Sequence, residues 1–196
     1  MAAETRNTEI VVVLDRSGSM LSIKSDMEGG FDAFIAAQRE VPGKCKVTLT
    51  QFDDRYETLY ECKALSRVPK LSLQPRGSTA LLDALGRTIV ATKERLKRKR
   101  NKPQVLFVVI TDGHENASRE FTRDQIHKLI SEAGEWGNWE FIYLGANQDA
   151  IEVGTSLGFQ ARSSFTFDAN TVGVKSMTDE LSRGTARYRS TGNYSS

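Results

Sequence analysis

Ile10-Val11-Val12-Val13-Leu14 followed by Asp15-Arg16-Ser17-Gly18-Ser19-Met20 decides how this chain is read. The first half is an unbroken apolar run, mostly β-branched, with no polar alternation. That pattern marks a strand covered on both faces, as in a parallel sheet packed between helices. The second half turns polar at once, so the strand ends in a loop rich in oxygen donors. Next, Met27, Phe31, Phe34 and Ile35 recur at helical spacing, and Val41-Pro42-Gly43 stops that helix.

The same alternation continues to the far end. Val47 to Phe52 and Tyr56 to Tyr60 read as strands with only Asp53-Asp54-Arg55 between them, which makes an antiparallel hairpin. Leu82, Leu85, Ile89 and Leu96 mark a helix, and Val105 to Ile110 is the most apolar strand, expected at the sheet centre. Thr122 to Gln125 is a capping box opening a helix with Ile126, Leu129, Ile130 and Ala133 inward. Phe141 to Leu144 is a fifth strand, Asn147 caps a helix running to about Gly158, and Phe165 to Phe167 is a sixth strand. A last helix begins near Asn170 with Val174, Met177 and Leu181 inward. The fold class is therefore α/β: an open, Rossmann-like, mostly parallel sheet with one antiparallel edge strand and helices on both faces. The expected layout is a polar segment over 1–8, a single domain over 9–183, and a flexible Ser-, Arg- and Gly-rich tail over 184–196.

Composition narrows the function. The chain has 196 residues, 39% apolar and 27% charged, which excludes disorder along its length. With 27 basic against 25 acidic side chains, the net charge of +2 excludes a strongly basic nucleic-acid binder, though not a local patch. No apolar run approaches the roughly 18 residues of a membrane span. The polar start lacks the apolar core of a signal peptide, so a cytoplasmic location is expected. Two cysteines and two histidines argue against a structural zinc site.

Three pieces carry the chemistry. In an extended segment alternate residues face one way, so Asp15, Ser17 and Ser19 can point to one spot beyond the carboxyl end of a central strand. Alone, the segment also fits a polar strand-to-helix turn. Gly77-Ser78-Thr79-Ala80-Leu81 precedes the next helix, where Ser78 or Thr79 taken alone reads as an N-cap rather than a ligand. Ile110-Thr111-Asp112-Gly113 ends the most apolar strand in a carboxylate, which alone is also a turn signal. Their conjunction at one end of the sheet is the stronger signal. Two carboxylates and three hydroxyls are hard oxygen donors without thiolate or imidazole, a set suited to Mg²⁺, with Mn²⁺ as a substitute.

Asp15-x-Ser17-x-Ser19, Thr79 and Asp112, in that order and on those elements, resemble the metal-ion-dependent adhesion site of von Willebrand factor A domains. The likeness spans about residues 8 to 168 and is greatest to small stand-alone bacterial and phage members. It implies strand order 3-2-1-4-5-6 and recognition of proteins through the metal. It further implies that Ser17, Ser19 and, when a partner is engaged, Thr79 contact the ion, with Asp15 and Asp112 acting mostly through water. The leading expectation is a non-catalytic, divalent-cation-dependent binding module that captures an exposed Asp or Glu of a protein partner. Its rim would comprise Arg16, Met20, Gly77, Ser78, Gly113, His114 and Asn116. The alternatives are a metal-assisted hydrolase with His114 or Glu115 as base, and a metal-stabilised structural protein.

Other features read more plainly. The basic run Lys93 to Lys102 falls at a helix C-terminus, where cations complement the macrodipole. Trp136 and Trp139 are expected to cover the core. A two-residue turn at Asp53-Asp54 would set Cys45 directly opposite Cys62, with free thiols expected in a cytoplasmic protein.

Overall fold

The computed structural model describes residues 7–194. One six-stranded sheet has the order β3-β2-β1-β4-β5-β6. The strands are β1 (Thr8–Asp15), β2 (Cys45–Phe52), β3 (Tyr56–Ala64), β4 (Gln104–Thr111), β5 (Trp139–Ala146) and β6 (Ser164–Phe167). The helices are α1 (Lys24–Arg39), α2 (Leu81–Lys97), α3 (Arg123–Gly134), α4 (Ala150–Ser156) and α5 (Thr171–Thr191). All pairings are parallel except β2 with β3. The expected strand order and the single antiparallel edge strand are therefore observed.

The continuous apolar run explains why β1 sits at the centre. Ile10, Val12 and Leu14 join one core cluster with residues of α1 and α5, such as Phe34, Met27 and Leu181. Val11 and Val13 join the opposite cluster with Leu85 and Ile89 of α2 and Ile126 of α3. Both faces of the strand are thus dry, which an alternating sequence could not support. Register then places the polar ends together. Leu14 pairs with Ile110 and Asp15 with Phe52, so Asp15, Asp53 and Thr111 share one end of the sheet.

Three expectations need correction. The tail over 184–196 is not free from residue 184. Helix α5 continues to Thr191, and Gly192 ends it in the left-handed conformation at φ 84°. The tail is polar because its polar groups have internal work. The Tyr188 hydroxyl donates to the carbonyls of Val105 (3.0 Å) and Asn138 (3.1 Å). Arg189 donates to the carbonyls of Gln38, Val41 and Gly43, at and just beyond the C-terminal end of α1. The expected tail also includes Ser195 and Ser196, which lie outside the described residues, as do positions 1–6 of the N-terminal segment.

Helix α4 is capped by Asp149, whose Oδ1 accepts from the Glu152 amide at 2.9 Å. Asn147 instead accepts from the Ala169 amide at 3.0 Å. Finally, Cys45 and Cys62 do not oppose one another. The hairpin turn has three residues, Phe52 pairs with Tyr56, and register shifts on either side of Leu49 bring Lys46 opposite Ala64. Both thiols are free. The capping box Thr122–Gln125 and the start of α5 at Asn170 are as expected.

Candidate metal and partner site

At the carboxyl end of β1, Asp15 is fully buried. Its Oδ1 accepts from the Ser17 amide at 2.6 Å, and its Oδ2 accepts from the Thr111 hydroxyl at 2.6 Å. The hydroxyls of Ser17 and Ser19 lie 3.0 Å apart, and Ser19 donates to Asp112 Oδ1 at 2.7 Å. Four of the five expected site residues therefore form one continuous polar chain from β1 to β4. Thr79 reaches it through Gly113. A Cβ at position 113 would stand 2.7 Å from the Thr79 Oγ1, so only glycine permits this approach. The Thr79 hydroxyl makes no hydrogen bond among the described residues.

Burial pushes the Asp15 carboxyl up to about 6, and the hydrogen bonds from Thr111 and Ser17 offset only part of that rise. Burial also raises Asp112, against the hydrogen bond from Ser19. Neither carboxylate has an ion-pair partner among the described residues. No group of three or more His, Cys, Asp or Glu side chains gathers among them either. What the site offers is two anions short of a countercharge and three hydroxyls, all oxygen. That donor set fits a hard divalent cation.

The three loops are locked to each other by backbone bonds. Gly18 N donates to Gly77 O at 3.2 Å, and Arg76 N to Arg16 O at 2.9 Å. Gly77 holds φ +68°, a left-handed turn that brings its carbonyl to Gly18. Thr79 and Asn116 bond reciprocally: Thr79 N donates to Asn116 Oδ1 at 2.9 Å, and Asn116 N to Thr79 O at 3.0 Å. Helix α2 has Ala80 as its N-cap with no side-chain cap bond. So neither Ser78 nor Thr79 takes the capping role. The free first-turn amides go instead to the 113–118 loop, Leu82 N to Glu115 Oε2 (3.0 Å) and Asp83 N to Ser118 Oγ (3.1 Å).

The expected rim is only partly a rim. Gly77, Ser78 and His114 are exposed, and Gly113 is half-buried. Arg16 is buried, donating from Nε to Asp53 (3.0 Å) and from Nη1 to Glu57 (2.7 Å), so it is a strut between loops. Met20 has no exposed surface and belongs to the core. The tight 3-10 turn over Gly18–Ile23 directs Leu21 outward instead, 67% exposed beside Ser19. Asn116 is exposed, but its side chain is held by Thr79. Sequence reading also missed Thr111 as the second support of Asp15. Its place in the residue pair before Gly113 was visible, but its facing toward Asp15 depends on the register of β1 and β4.

No curated protein matches this sequence. Among solved structures, a pilus adhesin, SpaC from Lactobacillus rhamnosus GG, is similar at TM-score 0.72 and 12% identity, over 94% of this chain and 30% of that one. Proximal thread matrix protein 1 from the mussel byssus, with a zinc-occupied metal-ion-dependent adhesion motif, is similar at TM-score 0.67 and 13% identity, over 93% and 46%. The von Willebrand domain of the pilus tip protein Mfa5 from Porphyromonas gingivalis is similar at TM-score 0.61 and 9% identity, over 91% and 96%. The chain thus spans less than half the length of the first two. At such identities the likeness concerns the fold. Residues 9–180 match the von Willebrand factor type A domain, and on that match the chain belongs to this family.

Proposed function

We propose that the chain is a divalent-cation-dependent protein-binding module that captures a carboxylate of its partner. One observation carries this reading: a fully buried aspartate without a countercharge, linked through two serine hydroxyls to a second carboxylate at an exposed edge. An uncompensated buried charge costs several kcal/mol in general, roughly, and a cation at this end of the sheet would offset it. Ser17, Ser19 and Thr79 would hold the ion, with Asp15 and Asp112 behind them. When bound, the ion supplies a positive charge of low ligand neutralisation that favours an anionic oxygen. The exposed rim of Gly77, Ser78, His114 and Leu21 suits a protein surface rather than an enclosed ligand.

Mg²⁺ is the proposed ion and Mn²⁺ its substitute. The mussel protein holds zinc at its equivalent motif, so metal choice is a matter for titration. The proposed reading has no catalytic step. The hydrolase alternative would need His114 or Glu115 as base, and Glu115 already accepts from the amides of Leu82, Ala117 and Ser118. The test is calorimetric titration with Mg²⁺, Mn²⁺ and Zn²⁺, then selection of binding peptides with and without chelator. Metal binding should vanish in Asp15→Ala and Asp112→Ala. Selected peptides should need an Asp or Glu, and its change to Asn or Gln should cost about 2–5 kcal/mol. Binding that persists in chelator would overturn the reading.

A further inference from the structure

The N-terminal ends of the same strands carry a second feature. Parallel β1 is eight residues long, so this end lies about 23 Å from Asp15, at ~3.3 Å per residue. Here a cavity of about 330 Å³ is lined by Lys44, Lys46, Lys99, Asn101 and Thr8. None of the three lysines makes an ion pair among the described residues.

The basic run of the sequence separates into two uses. Lys93 pairs with Glu132 at 2.8 Å, Arg95 clamps both oxygens of Glu9, and Lys97 pairs with Glu94. Lys102 lies over the Trp136 ring at 4.3 Å. Lys99 is half-buried and turns to the cavity without such a partner. Glu9 also lines the cavity, but its carboxylate is paired with Arg95, which Glu61 shares, and accepts from Thr48. The wall is therefore net cationic, with a volume fitting a small ligand.

We propose that this cavity binds a small, multiply charged phosphate, held by Lys44, Lys46 and Lys99. Three point-charge ammonium groups suit several phosphate charges better than a single carboxylate. The phosphate could be inorganic or part of a nucleotide.

The test is calorimetry of the full chain in chelator, which removes metal from the other site, with tripolyphosphate, ATP and AMP as probes. Tripolyphosphate should bind at one site per chain and weaken as salt rises. Lys44→Gln/Lys46→Gln/Lys99→Gln should lower that affinity at least tenfold, with the melting temperature unchanged. Asp15→Ala should leave it intact. Equal affinities for tripolyphosphate and ATP support a phosphate site, and tighter ATP binding supports a nucleotide site. Unchanged binding in the triple variant overturns the proposal. So does an equal loss in a control triple, Lys70→Gln/Lys128→Gln/Lys175→Gln, which would mean diffuse charge. Binding of a single-stranded oligonucleotide without tripolyphosphate binding also overturns it, in favour of a nucleic-acid surface.

Discussion

Asp15 closes β1 and Asp53 follows directly on β2, the parallel strand beside it, and both side chains are fully buried. Their surroundings are opposite. Asp53 accepts from Arg16 Nε at 3.0 Å, from Arg76 Nε at 2.8 Å and from the Arg55 amide at 2.6 Å. Burial alone would raise its carboxyl, but the Arg76 hydrogen bond and the two guanidinium charges together lower it. Asp15 receives only neutral donors, a backbone amide and the Thr111 hydroxyl, and sits high, at about 6. Both are closed to solvent, but Asp15 lies the deeper, so a larger burial penalty and the lack of a cation act together on it. Asp53 is the carboxylate that ties the loops. Asp15 is the one whose charge is left for something outside the chain.

The largest effect should come from breaking the satisfied member. Asp53→Ala leaves Arg16 buried with only Glu57, and the cost should be about 3–5 kcal/mol in denaturant unfolding. A loss below about 1 kcal/mol would end the contrast drawn here. Asp15→Asn should move the other way in chelator. The folded carboxyl at about 6 lies above its ordinary 3.8, so the folded state holds the proton more tightly. That contribution is fully present below pH 3.8 and is lost as pH rises through about 6. The gap corresponds to about 3 kcal/mol at most. At pH 7 the metal-free Asp15→Asn protein should therefore be the more stable, and the difference from wild type should shrink toward pH 4. Unfolding curves for both proteins across that range check it. A variant less stable at pH 7 would show that Asp15 is compensated after all.

Mg²⁺ should close most of this gap. At a hundredfold excess over its dissociation constant, an ion that binds only the folded state stabilises by about 2.7 kcal/mol. Thermal melts should show that gain in the wild type and not in Asp15→Asn. A gain of equal size in both would place the ion elsewhere.

The two aspartates also mark what the sequence could and could not tell. The strand before Asp15 was legible because its two faces are both dry, which a run of β-branched residues states directly. Asp15, Ser17 and Ser19 were read from their alternate spacing, and Thr79 and Asp112 joined them through the family resemblance, although Ser19 itself lies in a 3-10 turn. Asp53 was read only as a turn residue, since its partners Arg16 and Arg76 come from other loops. For the same reason Arg16 was expected on the rim and is a buried strut. Met20 was expected on the rim and is buried, with Leu21 outward instead, because a 3-10 turn, unlike a strand, does not alternate sides. The tail was misjudged on composition. Arg189 and Tyr188 look solvated in sequence, and their targets, the carbonyls at the end of α1 and those of Val105 and Asn138, are far away along the chain.

The smallest effect tests how Thr79 is held beside this pair. Its amide is fixed by Asn116 Oδ1, while its hydroxyl makes no described hydrogen bond. Asn116→Ala removes the acceptor but keeps the reciprocal bond from the Asn116 amide to Thr79 O, which is backbone to backbone. The stability cost should be about 1 kcal/mol, the scale of one partly buried hydrogen bond. Mg²⁺ affinity should fall only a few-fold, because Ser17, Ser19 and the two carboxylates are held by other contacts. Thr79→Ala should go further, weakening partner capture more than it weakens Mg²⁺ binding. Calorimetry of Mg²⁺ and of a selected acidic peptide on both variants separates the two steps. If Asn116→Ala lowers stability by as much as Asp53→Ala, the 113–118 loop is a main support of the fold. The division between a satisfied carboxylate that builds and an unsatisfied one that binds would then be too simple.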